Sequence, residues 1–167
     1  MTAPKVVLIG PPGSGKTTIG ELVAARLRVG FRDTDADVEA VAGSTIADIF
    51  VEQGEPAFRA LERAAVKTAL AEHDGVLALG GGAVGDDRTR KDLCAHRVVF
   101  LDVSLTHAVS RVGLAASRPL LLGNVRGQLK RLLDARRPLY AEVATVAVVT
   151  DGREPDDIAD EIVRFVS

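Results

Sequence analysis

The sequence predicts an α/β fold: a five-stranded parallel sheet with helices on both faces, arranged as three layers in the order α/β/α. Three observations carry that expectation. Short apolar runs rich in β-branched residues alternate with longer segments of helical periodicity. The first run leads directly into Gly10-Pro11-Pro12-Gly13-Ser14-Gly15-Lys16-Thr17, which reads G-x-x-x-x-G-K-[ST], a phosphate-binding loop. That loop sits between a strand and a helix, the context the motif requires.

The first run, Lys5-Val6-Val7-Leu8-Ile9, suits a buried strand, and Thr17 to Arg28 follows as a helix with Ile19, Leu22, Val23 and Leu27 on one face. Glycines in the loop let the backbone wrap close to a polyphosphate and turn its N–H groups inward. The helix adds its positive dipole end and free N–H groups. Lys16 then reaches the β- and γ-phosphates, and Thr17 holds Mg²⁺ through its hydroxyl. The nucleotide-binding set is therefore Gly13, Ser14, Gly15, Lys16 and Thr17, with Thr18 next to it.

Val29 to Asp33 reads as a second strand, with Asp33 and Asp35 at its carboxyl end, where ligands of open α/β sheets sit. A helix N-cap plus a solvated acid is the competing reading of those two carboxylates. Thr45 opens a short helix that stops at Gly54, and Pro56 opens a longer one running to about Glu72. On it, Phe58, Leu61, Ala65 and Ala69 form a buried stripe. Arg59, Glu62 and Arg63 share a neighbouring face, by default a solvated, salt-bridged one.

A third strand, Val76-Leu77-Ala78-Leu79, runs straight into Gly80-Gly81-Gly82. Three glycines there serve either a turn that needs positive φ or a close approach to the backbone, as by a ligand at the sheet end, with a plain loop as the competing reading. After a helix over Arg88–Ala95, Val98–Val103 forms the fourth strand, and a helix capped by Ser104 runs to Val112. Gly113–Gly127 loses periodicity, as a lid or binding loop does. Leu129–Ala135 returns to helix and is followed by Arg136-Arg137-Pro138-Leu139-Tyr140 as a turn. Val146–Thr150 is the last strand, and Pro155 opens a C-terminal helix with Ile158, Ile162, Val163 and Val166 on its core face.

At 167 residues with 47% hydrophobic and 26% charged side chains, the chain is expected to be one domain with a full core. A net charge of −2 argues against a general nucleic-acid or membrane surface. The single cysteine, Cys94, reads as a structural thiol and favours a reducing, cytoplasmic compartment, and the N-terminus is too short and polar for a signal peptide. A monomer is the default expectation.

Over nearly its full length the chain resembles the shikimate kinases. The resemblance rests on the phosphate loop together with Asp33-Thr34-Asp35, Gly54-Glu55-Pro56-x-Phe58-Arg59, Gly80-Gly81-Gly82, Arg118-Pro119-Leu120 and Arg136-x-Pro138-Leu139-Tyr140. It implies the nucleoside-monophosphate-kinase-like P-loop fold with strand order 2-3-1-4-5, an acceptor segment near residues 33–62, a lid near 112–125, and ATP, Mg²⁺ and shikimate as ligands. It further implies that Asp35 holds the ring hydroxyls of shikimate and that Asp33 sits in the water shell of Mg²⁺. Arg59 and Arg136 would clamp the carboxylate, with Glu62 supporting Arg59. Gly80, Gly81 and Gly82 would contact the acceptor through backbone, and Arg118 would reach the transferring phosphate. Arg111 would lie against adenine, with Arg153 and Pro155 on its other side. Arg137 follows Arg136, so a turn shifted by one residue would exchange their roles. A gluconate-type or nucleoside monophosphate kinase shares the loop but is not expected to carry Arg59, the triple glycine and the R-x-P-L-Y stretch together. A nucleotide-dependent switch would leave Asp35, Arg59 and Arg136 without a shared purpose.

Overall fold

In the computed structural model the described residues are 2–114 and 125–167, and the side chains of 111–125 lie outside the description. Five strands, β1 (Val6–Ile9), β2 (Phe31–Asp33), β3 (Val76–Ala78), β4 (Val98–Asp102) and β5 (Val146–Val149), form one parallel sheet in the order β2-β3-β1-β4-β5. The expected sheet and its order are both present. In register, Asp33 and Leu8 both stand opposite Ala78, and Ile9 stands opposite Phe100. The carboxyl ends of β2, β3, β1 and β4 therefore finish at one edge of the molecule, and the loops that leave them share that edge.

Period-2 alternation divides the core. Val7, Ile9, Leu77, Leu79, Val98 and Phe100 pack on one face of the sheet with α4 (Glu55–Glu72), α5 (Asp87–Leu93) and α7 (Val125–Val143). Val6, Leu8, Val76, Ala78, Val99 and Leu101 pack on the other with α1 (Lys16–Leu27) and α8 (Pro155–Val166). Every residue of β1 is buried, as a strand covered on both faces requires. A satellite cluster of Val38, Ile49, Phe58 and Ala65 joins α2 (Thr34–Ala42) and α3 (Ile46–Gln53) to α4. Another, Val103, Ala108, Leu129 and Leu133, joins α6 (Leu105–Leu114) to α7.

Two elements depart from the sequence expectation. Helix α2 begins directly at Thr34, and Asp33 is its N-cap, accepting from the Asp35 N–H at 2.9 Å. The N-cap reading of Asp33 thus holds together with its position at a strand end. Helix α7 does not stop before Arg136; it runs through Pro138 to Val143. Pro138 removes one intrahelical bond, to the Asp134 carbonyl, but both residues are exposed and water can take that carbonyl. Buried Leu133 on one side and buried Tyr140 and Val143 on the other hold the two halves in line.

Candidate active site

The phosphate loop is shaped by close packing at its glycines. Gly13 and Gly15 adopt φ of 82° and 89°, a left-handed conformation that side chains resist. A Cβ on Gly10 would stand 2.7 Å from the Leu101 carbonyl oxygen and 2.9 Å from Ser14 Oγ, so the loop can lie this close to β4 only without one. Gly15 caps α1, whose first residue is Lys16. The Lys16 ammonium donates to the carbonyls of Gly10 at 2.6 Å and Pro11 at 3.1 Å, which holds its charge over the loop. Thr17 and Thr18 stand exposed in the first turn of α1. The result is a cradle of backbone N–H groups, a helix N-terminus and an ammonium, a combination suited to a polyphosphate.

Next to this loop, across β3, the triple glycine meets the acidic and basic candidates. None of Gly80, Gly81 and Gly82 has positive φ, so the close-approach reading of these residues holds and the turn reading does not. A Cβ on Gly80 would lie 2.5 Å from Asp35 Oδ1 and 3.0 Å from Glu62 Oε2. One on Gly81 would lie 3.2 Å from Pro12 Cδ of the phosphate loop. One on Gly82 would lie 2.6 and 2.7 Å from the two terminal nitrogens of Arg59 and 2.8 Å from Arg136 Nη2. Asp35, Arg59 and Arg136 are thereby brought together around one stretch of bare backbone, and that stretch touches the phosphate loop. The Gly80 N–H donates to the buried Thr34 Oγ1 at 3.3 Å, which ties the end of β3 to the start of α2.

The arginines are held from behind. Arg59 Nη1 donates to Glu62 Oε1 at 2.8 Å, one helical turn along α4, and its guanidinium lies 5.2 Å from the Phe58 ring centroid. Glu62 is buried, and burial pushes its carboxyl up from the usual range while Arg59 and then Arg136 pull it back. The solvated-face expectation therefore fails for Glu62. It fails for Arg63 too, whose half-buried side chain pairs with Asp92 at 2.8 Å and reaches Thr89 Oγ1 at 3.2 Å. Helical period places these charges on a common face; the fold sets Arg59 and Glu62 against the glycine stretch after β3 and Arg63 against α5. A cavity of about 310 Å³ opens between Arg59, Glu62, Gly82 and Arg136 and extends to Asp86 and Thr89.

Arg136 and Arg137 go separate ways because they are neighbours on a helix, about 100° apart. Arg136 lines the cavity, whereas Arg137 Nη1 pairs with Asp102 Oδ1 at 3.0 Å and Nη2 donates to the Val103 carbonyl at 2.8 Å. The stretch expected as a turn is helix, and it is Arg136 that it turns toward the cavity.

Asp33 lies on the loop side of the same edge. Burial raises its carboxyl, and the Asp35 N–H and the nearby Lys16 charge act against that. Among the described residues no group of three or more His, Cys, Asp or Glu side chains is placed to hold a metal ion. Mg²⁺ does not need such a cage; one or two hard oxygen ligands with water and phosphate suffice. The Thr17 hydroxyl and the Asp33 carboxylate are of that type. On the far side of the sheet edge, Arg153 follows β5, donating to the Val149 carbonyl at 3.1 Å and pairing with Glu161 at 2.9 Å, and Pro155 is the first residue of α8. The side chains of Arg111 and of the expected lid segment 112–125, and residues 115–124 altogether, Arg118 among them, lie outside the described residues. Cys94 is exposed at the end of α5.

Sequence reasoning gave no role to Tyr140 beyond its place in a motif. It is fully buried, its hydroxyl donates to the Gly81 carbonyl at 2.5 Å, and its ring stacks on Phe100 with centroids 4.9 Å apart. A lone tyrosine after a proline carries no such signal in sequence.

A parallel sheet with a phosphate loop after its central strand, beside a pocket lined by arginines and acidic residues, defines a P-loop enzyme that phosphorylates a small anionic acceptor. A family model described as shikimate kinase matches residues 12–167. The chain is 58% identical over 162 residues to the shikimate kinase of Streptomyces avermitilis, covering 97% of this chain and 95% of that one. It is 59% identical over 165 residues to that of Salinispora arenicola, covering 99% of each. Among solved structures, a shikimate kinase from Acinetobacter baumannii in complex with shikimate superposes with a TM-score of 0.93 at 34% identity, over 99% of this chain and 93% of that one. A gluconokinase from Sinorhizobium meliloti shares the fold at a TM-score of 0.61 and 21% identity. The chain belongs to the shikimate kinase family.

Proposed function

We propose that this protein transfers the γ-phosphoryl group of ATP to the 3-hydroxyl of shikimate, giving shikimate 3-phosphate and ADP on the route to aromatic amino acids. The observation that carries the reading is the convergence of Arg59 and Arg136 on Gly82, beside a phosphate loop. A carboxylate is gripped best by planar, forked donors, and two guanidinium groups at one wall suit the single carboxylate of this acceptor. Asp35, beside Gly80, then holds the ring hydroxyls and accepts the proton of the attacking one. The acceptor oxygen forms a bond to the γ-phosphorus, the bond to the β–γ bridging oxygen breaks, and its electron pair leaves with ADP. Lys16 stabilises the charge on the phosphoryl oxygens, and Arg118 is assigned the same task from the lid.

The residues present fit Mg²⁺: Thr17 would hold it directly and Asp33 through water. When bound it neutralises the β- and γ-phosphate oxygens. Gly13, Ser14, Gly15 and Thr18 complete the phosphate site, while Arg111, Arg153 and Pro155 flank the base. In this reading residues 1–167 are one kinase domain with an acceptor segment near 33–62 and a lid near 112–125. It works as a cytoplasmic monomer without nucleic-acid or membrane partners. No helix among the described residues is long and apolar enough to cross a membrane.

The test is ADP release from Mg-ATP with shikimate, gluconate, a nucleoside monophosphate or no acceptor. Release with shikimate alone is expected. Release with another acceptor would overturn the acceptor assignment, and acceptor-independent release would favour a nucleotide switch.

A further inference from the structure

We propose that Tyr140 is a positioning residue of the acceptor pocket, which fixes the Gly81–Gly82 backbone against the helix that carries Arg136. The proposal rests on the acceptor reading above. Two contacts and one placement support it. The hydroxyl donates to the Gly81 carbonyl at 2.5 Å, so the peptide joining Gly81 to Gly82 is held by its oxygen. The ring stacks on Phe100 of β4, centroids 4.9 Å apart and planes 26° from parallel, which fixes the direction of the hydroxyl. Tyr140 also lies four residues after Arg136 on α7, hence one turn away on the same face.

The glycine stretch has no side chains with which to anchor itself; the Gly80 and Gly82 carbonyls accept from the Ala83 and Gly85 N–H groups at 3.1 and 3.0 Å, and the Gly81 carbonyl between them is held by the Tyr140 hydroxyl. A Cβ on Gly82 would lie within 2.8 Å of Arg136 Nη2, so a shift of this backbone by a few tenths of an ångström changes the space between the two guanidinium groups and the acceptor. Burial pushes the Tyr140 hydroxyl up to about 12, so it stays protonated and remains a donor across the working pH range. The hydroxyl is thus a fixed strut between the sheet edge and α7. It acts through the groups it holds, the Gly81 carbonyl and the Arg136 guanidinium, which also hydrogen-bonds to it.

The experiment is Tyr140→Phe, which keeps the ring and its stack and removes only the hydroxyl. Steady-state kinetics are measured with shikimate and Mg-ATP varied separately, alongside thermal melting and calorimetric titration of shikimate. The loss of one buried hydrogen bond at the pocket wall predicts a rise in shikimate KM and Kd of about fivefold to tenfold. The ATP KM should stay within about twofold, since Lys16 and the loop after β1 are untouched. An unchanged shikimate KM and Kd would overturn the proposal. So would a parallel loss of both substrates' affinities with a lowered Tm, because that is the signature of a general packing role. A wild-type enzyme that binds ATP but ignores shikimate would instead fail the acceptor reading, which the wild-type arm reads out independently.

Discussion

Substituting Gly82 by alanine isolates the carboxylate grip from the fold. At φ −100° the backbone accepts alanine without strain. The added methyl carbon would stand 2.6 and 2.7 Å from Arg59 Nη1 and Nη2 and 2.8 Å from Arg136 Nη2. Those atoms are the ends of flexible side chains, so they will swing away rather than unfold the protein. Each charge-assisted hydrogen bond to a carboxylate contributes about 1.5–3 kcal/mol, and displaced guanidinium groups retain part of it. The expected loss is about 2–4 kcal/mol of acceptor binding, or roughly 30- to 900-fold in kcat/KM for shikimate. Stability should change by about 1 kcal/mol or less, so Tm should stay within about 4 °C. Gly75 supplies the control: its added carbon would meet the Gly30 carbonyl oxygen at 2.1 Å, and backbone cannot swing away. Gly75→Ala should cost about 3 kcal/mol, lowering Tm by about 6–12 °C, with shikimate KM little changed in the folded fraction. Coupled ADP release and thermal melting read both variants. A Gly82→Ala enzyme with wild-type shikimate KM, or one that melts like Gly75→Ala, would refute the assignment of Gly82 to the grip.

Three further outcomes follow from the same geometry. Lys16→Ala should lower phosphoryl transfer by about 100-fold or more with Tm nearly unchanged, checked by single-turnover kinetics; normal turnover would remove the loop assignment. Arg136→Ala should raise shikimate KM by about 10-fold to 100-fold, while Arg137→Ala, which breaks a half-exposed pair with Asp102, should cost about 1 kcal/mol of stability or less and leave KM alone. Glu62 has a carboxyl raised by burial above its unfolded value of 4.5, so the folded state binds its proton more tightly than the unfolded chain does. Its contribution to stability therefore falls as pH rises from the unfolded value through the folded one. Melting curves of wild type and Glu62→Gln across this window should show that decline in wild type only; a decline of equal slope in both would assign it elsewhere. In the same window protonation of Glu62 weakens its hold on Arg59, and shikimate KM should rise toward acid.

Strands β1, β3, β4 and β5 were legible as short apolar runs bounded by glycine or polar residues, whereas β2, Phe31-Arg32-Asp33, is not such a run and reads as a strand together with the apolar Val29 ahead of it. The phosphate loop was legible because its chemistry demands fixed residues at fixed spacing. Helix α2 was not: Thr34-Asp35-Ala36-Asp37-Val38 buries only Thr34 and Val38 and shows no apolar stripe. The run of α7 through Pro138 was not, because tertiary packing at Leu133, Tyr140 and Val143 overrides a local break. At the site, residue types told what could grip an anion, but not which charges would be buried. Glu62 and Arg63 fall on a face that periodicity assigns to water, and only the third dimension puts the end of β3 and α5 against it.

The pocket proposed for the acceptor owes part of its shape to side chains that are missing. At Gly80, Gly81 and Gly82 no substitution can remove atoms, so mutation at these positions can only fill the pocket and never enlarge it. An inhibitor seated against this backbone therefore faces an asymmetric landscape of escape. Any exchange that crowds it out also pushes aside Asp35, Arg59 or Arg136, the groups assigned to the natural acceptor. Resistance arising at that wall would carry its penalty in catalysis with it.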